Sequence, residues 1–271
     1  MKKHPIPLPS VAILSQLLLF VLLAAPASAQ NNTQNVGRDT RFQATTPSGH
    51  LLSYAVVDDG QVNIVFHAEY PELLGGDIEV PRSVKHNGTN YIVTGIADGA
   101  FANCIRVKSV TLPTTLYSIG DRAFLRCTAL RIIRLPKTLT TIGARAFEGC
   151  TALIDVVLPN AVSEIGEYVF SGCCNVRHFV LSHALTAIPD GAFENCTALT
   201  DILIPEQVAT ISCTAFKGYK ALSLIVLLNT TPPVPGCEEP FGREITVRVP
   251  ARAFDIYKAS TAWGQYNLQS L

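Results

Sequence analysis

The chain has 271 residues, 48% of them hydrophobic and 15% charged, which excludes a disordered protein and points to an ordered, well-buried one. Its 21 basic and 21 acidic side chains cancel, and without Lys2 and Lys3 the balance is 19 against 21, or −2. A charge that small recruits neither nucleic acid nor an anionic membrane.

Residues 1–29 read as a signal peptide. Lys2 and Lys3 precede an apolar run from Val11 to Ala25, and Ala27-Ser28-Ala29 supplies the small-x-small cleavage pattern. The run contains Ser15 and Gln16 and falls short of the roughly 20 apolar residues a bilayer span needs. No cysteine precedes Cys104, so a lipid-modified cysteine at the cleavage site is excluded. The expected product begins near Gln30, is exported to the periplasm, the cell surface or the medium, and has no membrane span in the mature chain.

Residues 30–48 are rich in Asn, Gln and Thr and read as a flexible leader. Alternation then begins. Leu52, Tyr54 and Val56 share one face of a first strand, and Val62, Ile64 and Phe66 one face of a second, with Asp58-Asp59-Gly60 as the hairpin turn. Ile78 to Pro81 has the form of a strand end, and Asn87-Gly88 is a turn before an apolar strand at Tyr91 to Val93. Residues 49–95 are therefore expected to form an N-terminal β cap and an irregular first coil.

Residues 96–228 repeat. Phenylalanine stands at 101, 124, 147, 170, 193 and 216, isoleucine at 96, 119, 142, 165, 188 and 211, and cysteine at 104, 127, 150, 173 and 196. Each column has a 23-residue period with no insertion, the mark of a stacked solenoid. Within a unit, Ile133 and Leu135 lie two apart and share the inward face of a strand, which Pro136 closes by removing a backbone donor. Ile119, Ala123, Phe124 and Cys127 follow at spacings of three to four, which predicts a short helical or 3₁₀ turn on the far side. The fold expected is an α/β solenoid: a right-handed leucine-rich-repeat stack of 23-residue coils, with a parallel sheet on one face and helical or 3₁₀ turns on the other.

The motif IGxxAFxxCxxLxxIxLP, entered through VPxxVxxNGxxYxVTxIxxxAF, resembles the BspA-type leucine-rich repeats of bacterial surface and secreted proteins. The resemblance extends to residues 229–271, where Ile245 to Pro250 and then Ala251 to Trp263 with Tyr257 imply a C-terminal cap with a terminal helix. Leu181-Ser182 departs from Leu-Pro and Ile188-Pro189 from Ile-Gly, which predicts an altered local bend.

The cysteine column has no CxxC spacing for zinc. Equivalent residues on neighbouring coils point the same way about 4.8 Å apart, which suits buried, unreactive stacked thiols better than disulfides. Cys174, Cys213 and Cys237 lie outside the column. Export makes a bridge between Cys213 and Cys237 possible, set against two free, partly buried thiols.

The outward strand column runs through Val157, Val180, Leu203 and Val226, with Leu224 beside it, and turns apolar where the related repeats carry Ser and Thr. Exposed, it would mark a partner-binding surface. The competing explanations are that β-branched residues suit strands, or that the C-terminal tail covers the column. Asp155, His178 and Asp201 sit beside it, one per coil, either as a solvated charge-balanced column or as a weak metal site. No GxSxG, HExxH, GxGxxG, P-loop or EF-hand pattern occurs, and no metal, cofactor or catalytic residue is implied. The expectation is a non-enzymatic protein-binding module. The resemblance implies adhesion to host matrix or other surface proteins, the alternative being a structural or assembly component of the bacterial envelope that binds a bacterial protein or glycan.

Overall fold

The structure is a computed structural model that describes residues 40–65, 71–237, 241–242 and 244–271. The expected signal peptide lies outside these residues, as do residues 30–39 of the expected leader and Phe66 of the expected second strand.

Three antiparallel strands come first: β1 (Arg41–Thr45), β2 (Leu51–Asp58) and β3 (Gln61–Val65). The Asp58-Asp59-Gly60 turn sets Asp58 opposite Gln61. β1 corrects the expectation of a flexible leader reaching Ser48, since Arg41–Thr45 pairs with β2 along its whole length. The reason lies in Phe42. Alternate residues of a strand face inward, so one aromatic side chain, with Ala44 beside it, is enough to seat a five-residue strand whose other three residues are polar. Phe42 is buried against Tyr54 and Tyr91, and the His86 ring stacks on it at 4.2 Å.

A 3₁₀ turn (Pro71–Leu73) leads to β4 (Gly75–Glu79), and β5 (Ser83–His86) forms a hairpin with β6 (Thr89–Ile96). Asn87 and Gly88 at its tip both have positive φ, as a two-residue primed turn demands. β6 also pairs in parallel with β3 and with the first short strand of the repeats, so cap and repeats share one sheet.

Each coil then supplies a longer strand and a two-residue one. In order these are β7 (Arg106–Thr111) and β8 (Ser118–Ile119), β9 (Ile132–Arg134) and β10 (Thr141–Ile142), β11 (Asp155–Val157) and β12 (Glu164–Ile165). They continue as β13 (His178–Val180) and β14 (Ala187–Ile188), β15 (Asp201–Ile204) and β16 (Thr210–Ile211), β17 (Leu224–Leu227) and β18 (Val234–Pro235). The ladder does not stop at residue 228. β19 (Thr246–Val249) pairs in parallel with β17, and β20 (Asn267–Ser270) with β19, after a 3₁₀ turn (Ala251–Ala253) and the helix α1 (Phe254–Ala259).

The short strands stack in register, Ile119 opposite Ile142 and Ile142 opposite Ile165. The next residue donates its N–H to the preceding coil: Gly120 to Ile96, Gly143 to Ile119, Gly166 to Ile142, Ser212 to Ile188. Here the backbones pass so closely that a methyl on Gly166 would lie 2.3 Å from the Ala144 nitrogen. Pro189 has no N–H to give. The ladder ends at β12 and restarts as β14-β16-β18, which is where the altered bend was expected.

The predicted helical turn is absent: among the described residues of the repeats, no helix occurs. Two residues per coil, four apart, take positive φ instead: Arg122 and Arg126, Arg145 and Gly149, Tyr168 and Gly172, Gly191 and Asn195. They turn alternate peptide groups along the stack. Ala123, Leu125 and Cys127 donate to carbonyls three residues back, whereas Arg122, Phe124 and Arg126 donate to Ala144, Ala146 and Glu148 of the next coil. A helix would spend its N–H groups internally and leave none for the neighbouring coil.

Behind these turns the six repeat phenylalanines stack 5.0 to 6.0 Å apart and within 20° of parallel. Phe241 extends the stack at 5.3 Å, and Trp263 and Tyr266 close it. All six repeat rings are fully buried, each contributing about 1.5–3 kcal/mol by burial, with a smaller gain from stacking. Cys127, Cys150, Cys173 and Cys196 lie beside them, and each thiol donates to the carbonyl 26 residues earlier, at 3.0 to 3.3 Å.

Candidate interaction face

The longer strands turn every second side chain outward. Val157, Val180 and Leu203 follow one another on neighbouring coils at 60%, 53% and 42% exposure, uncovered by the C-terminal segment. Ile132 joins them at 52%. It was not among the residues singled out from sequence, although an isoleucine in a column that runs Ser109, Ile132, Asp155, His178, Asp201 and Leu224 was a signal. Val226 and Leu224 are half-buried, opposite Arg248 and Thr246 of β19.

Asp155 lies directly opposite His178, and His178 Nδ1 is 3.3 Å from Asp201 Oδ2. The Thr200 hydroxyl donates to that same carboxylate oxygen at 2.7 Å. These polar groups are on the solvent side, where an ion pair contributes little. Among the described residues no group of three His, Cys, Asp or Glu is placed to hold a metal ion.

The strands beneath this face form three separate ladders: β4-β7-β9, β11-β13 and β15-β17-β19-β20. At the first break, between β9 and β11, there is a cleft of about 650 Å³. Ile133 and Leu135 on its wall are half-buried, whereas Val110, Val156, Ile202 and Ile225 of the same inward column as Ile133 are buried. Arg134 and Lys137 stand on one rim, Asp155 and Asn160 on the other, and the cleft opens toward Val157 and Val180.

The thiols offer no comparable chemistry. Burial pushes Cys150 up, Cys173 well up, and Cys196 up to about 12. Cys127 is raised by its contact with Cys150 first and by burial second. Such thiols stay protonated and are inert as nucleophiles. Cys213 and Cys237 are bonded, with Cα atoms 5.3 Å apart, and staple the coil of β16 to the segment after β18.

Six copies of the BspA type leucine rich repeat region match residues 94–223, in the 23-residue register of the stacked phenylalanines. Residues 94–223 are a BspA-type leucine-rich repeat region. Two solved structures share the fold of this chain. A leucine rich cell surface protein from Faecalibacterium prausnitzii is 25% identical with a TM-score of 0.59, the match covering 80% of this chain and 54% of that one. The present chain thus spans about half of that protein's length. The leucine-rich repeat protein of T. pallidum is 27% identical with a TM-score of 0.59, covering 72% of this chain and 86% of that one. No curated protein matches the chain. Among the described residues, no helix is long and apolar enough to cross a membrane.

Proposed function

We propose that this protein is a non-enzymatic, exported binding module that presents its long-strand face to a protein partner at the bacterial surface. The apolar stripe carries this reading. Ile132, Val157, Val180 and Leu203 place four large aliphatic side chains in water on four consecutive coils, where Val156, Phe179 and Ile202 of the last three strands are buried. A row of that kind costs solubility and is kept where it meets a partner. The surface location rests on the sequence of residues 1–29 and on likeness to a protein described as a cell surface protein. Adhesion to host matrix is the specific form of the proposal.

The test is saturable binding of the purified protein to immobilised extracellular-matrix extract, with the double variant Val180→Asp/Leu203→Asp as comparison. Loss of binding at an unchanged thermal midpoint supports the face. Equal binding by the variant removes it.

A further inference from the structure

The break between β9 and β11 differs from an ordinary gap between coils. Parallel neighbours in this stack pair in full register, as β7 does with β9 and β11 with β13. β9 and β11 face each other without pairing, across a cleft of about 650 Å³. The coils remain joined on the other side, where β10 pairs with β12 and Phe124 stacks on Phe147 at 5.2 Å. The opening is therefore a wedge confined to the strand side.

Its walls have a definite chemistry. Leu158 donates its N–H to Val180, so by the alternation of a strand the amides of Asp155 and Val157 point the opposite way, into the cleft. By the same alternation Ile133 turns its backbone groups toward it from β9, since residues 132 and 134 face β7. The floor is apolar, from Ile133, Leu135 and Leu158. The Arg134 and Lys137 rim is cationic. Two strand edges that lack a partner, above an apolar floor, form a template for a third strand.

We propose that the cleft takes an extended segment of the protein partner, inserted between β9 and β11 as an added parallel strand. The reading rests on the strand-face function proposed above and names its recognition element. Alternate side chains of the segment would enter toward Ile133 and Leu135, and the others would emerge beside Val157 and Val180. An acidic residue of the segment would lie against Arg134 and Lys137. β9 and β11 are each three residues long, so the inserted stretch is three to four residues, or about 10–13 Å.

The probe is a fluorescent heptapeptide alternating valine with threonine and ending in aspartate, titrated against the whole protein with hydrogen exchange as a second readout. Saturable binding that newly protects the Asp155 and Val157 amides is the expected result. Val157→Pro removes one donor facing the cleft and should weaken binding about tenfold, while Val157→Thr, which keeps the donor, should not. If Val157→Pro loses its fold, the protection pattern in the wild-type protein decides instead. Failure of the wild-type protein to bind the peptide would overturn strand insertion, as would equal binding by a folded Val157→Pro variant. Protection confined to Val180 and Leu203 would also overturn it, while leaving the strand face standing. Loss of matrix binding in Val180→Asp/Leu203→Asp is scored separately, so the two ideas fail independently.

Discussion

The turn side and the long-strand side of this solenoid belong to the same coils, yet they stack differently. On the turn side, every coil from Gly99 to Asn195 donates backbone hydrogen bonds to the next, and the phenylalanine stack runs unbroken from Phe101 to Phe216. On the strand side, pairing stops after β9 and again after β13. The second stop is closed. Phe179 fills it from inside, 5.2 Å from Phe170 and 4.7 Å from Phe193, and His178 reaches Asp201 across the outside. Only the first stop leaves inward residues half-buried. Registration carried by one side leaves the other free to diverge, and divergence there is what a binding surface requires.

If the turn side carries the stack, its buried thiols should make the protein sensitive to alkali. Cys127, Cys150, Cys173 and Cys196 are all raised in the folded state, whereas an unfolded thiol ionises near 8.5. Their contribution is fully present below about pH 8.5 and is lost as pH rises through the window toward the folded values, about 12 for Cys196. At pH 10 the loss from Cys196 alone should be roughly 2 kcal/mol, with further losses of the same sign from the other three thiols, read as a falling urea midpoint. A midpoint constant from pH 7 to 10 would contradict the sealed column.

Next in size is the stack itself. Phe147→Ala should cost about 3–5 kcal/mol, because it opens a cavity between Phe124 and Phe170. Val157→Ala on the same coil, but on the outer strand face, should change stability by less than about 0.5 kcal/mol. Equal costs would erase the contrast between the two sides.

The smallest contrast lies within the strand side. Ile202→Ala, at a buried position, should cost about 2–5 kcal/mol, and Ile133→Ala at the cleft only about 1 kcal/mol. Denaturant midpoints at matched slopes would measure both. A loss at Ile133 as large as that at Ile202 would mean the cleft is closed in solution.

The stacked core was legible in the sequence because coil stacking demands the same side chain at the same place, and the Phe, Ile and Cys columns state it directly. Pro189 was legible too, as a residue that cannot donate where its column mates do. The turn geometry was misread: spacings of three and four suggest a helix, but Gly149, Gly172 and Gly218 share a column with Asn103 and Asn195, a pairing that favours left-handed backbone. Arg122, Arg126 and Tyr168 adopt that backbone without carrying any such mark. β1 was hidden because a single phenylalanine seats it. The cleft had no signal at all, since Ile133 and Leu135 follow the repeat like every other coil and nothing in the sequence accounts for their partial exposure.

Native-state hydrogen exchange, resolved by residue, tests the central contrast most directly. The amides of Phe124, Phe147 and Phe170, bonded to the next coil on the turn side, should exchange only with global unfolding. Those of Asp155 and Val157 should exchange faster by orders of magnitude, while Ile202 in β15 stays slow. Uniform protection along the strand side, with Asp155 and Val157 as slow as Ile202, would contradict the account.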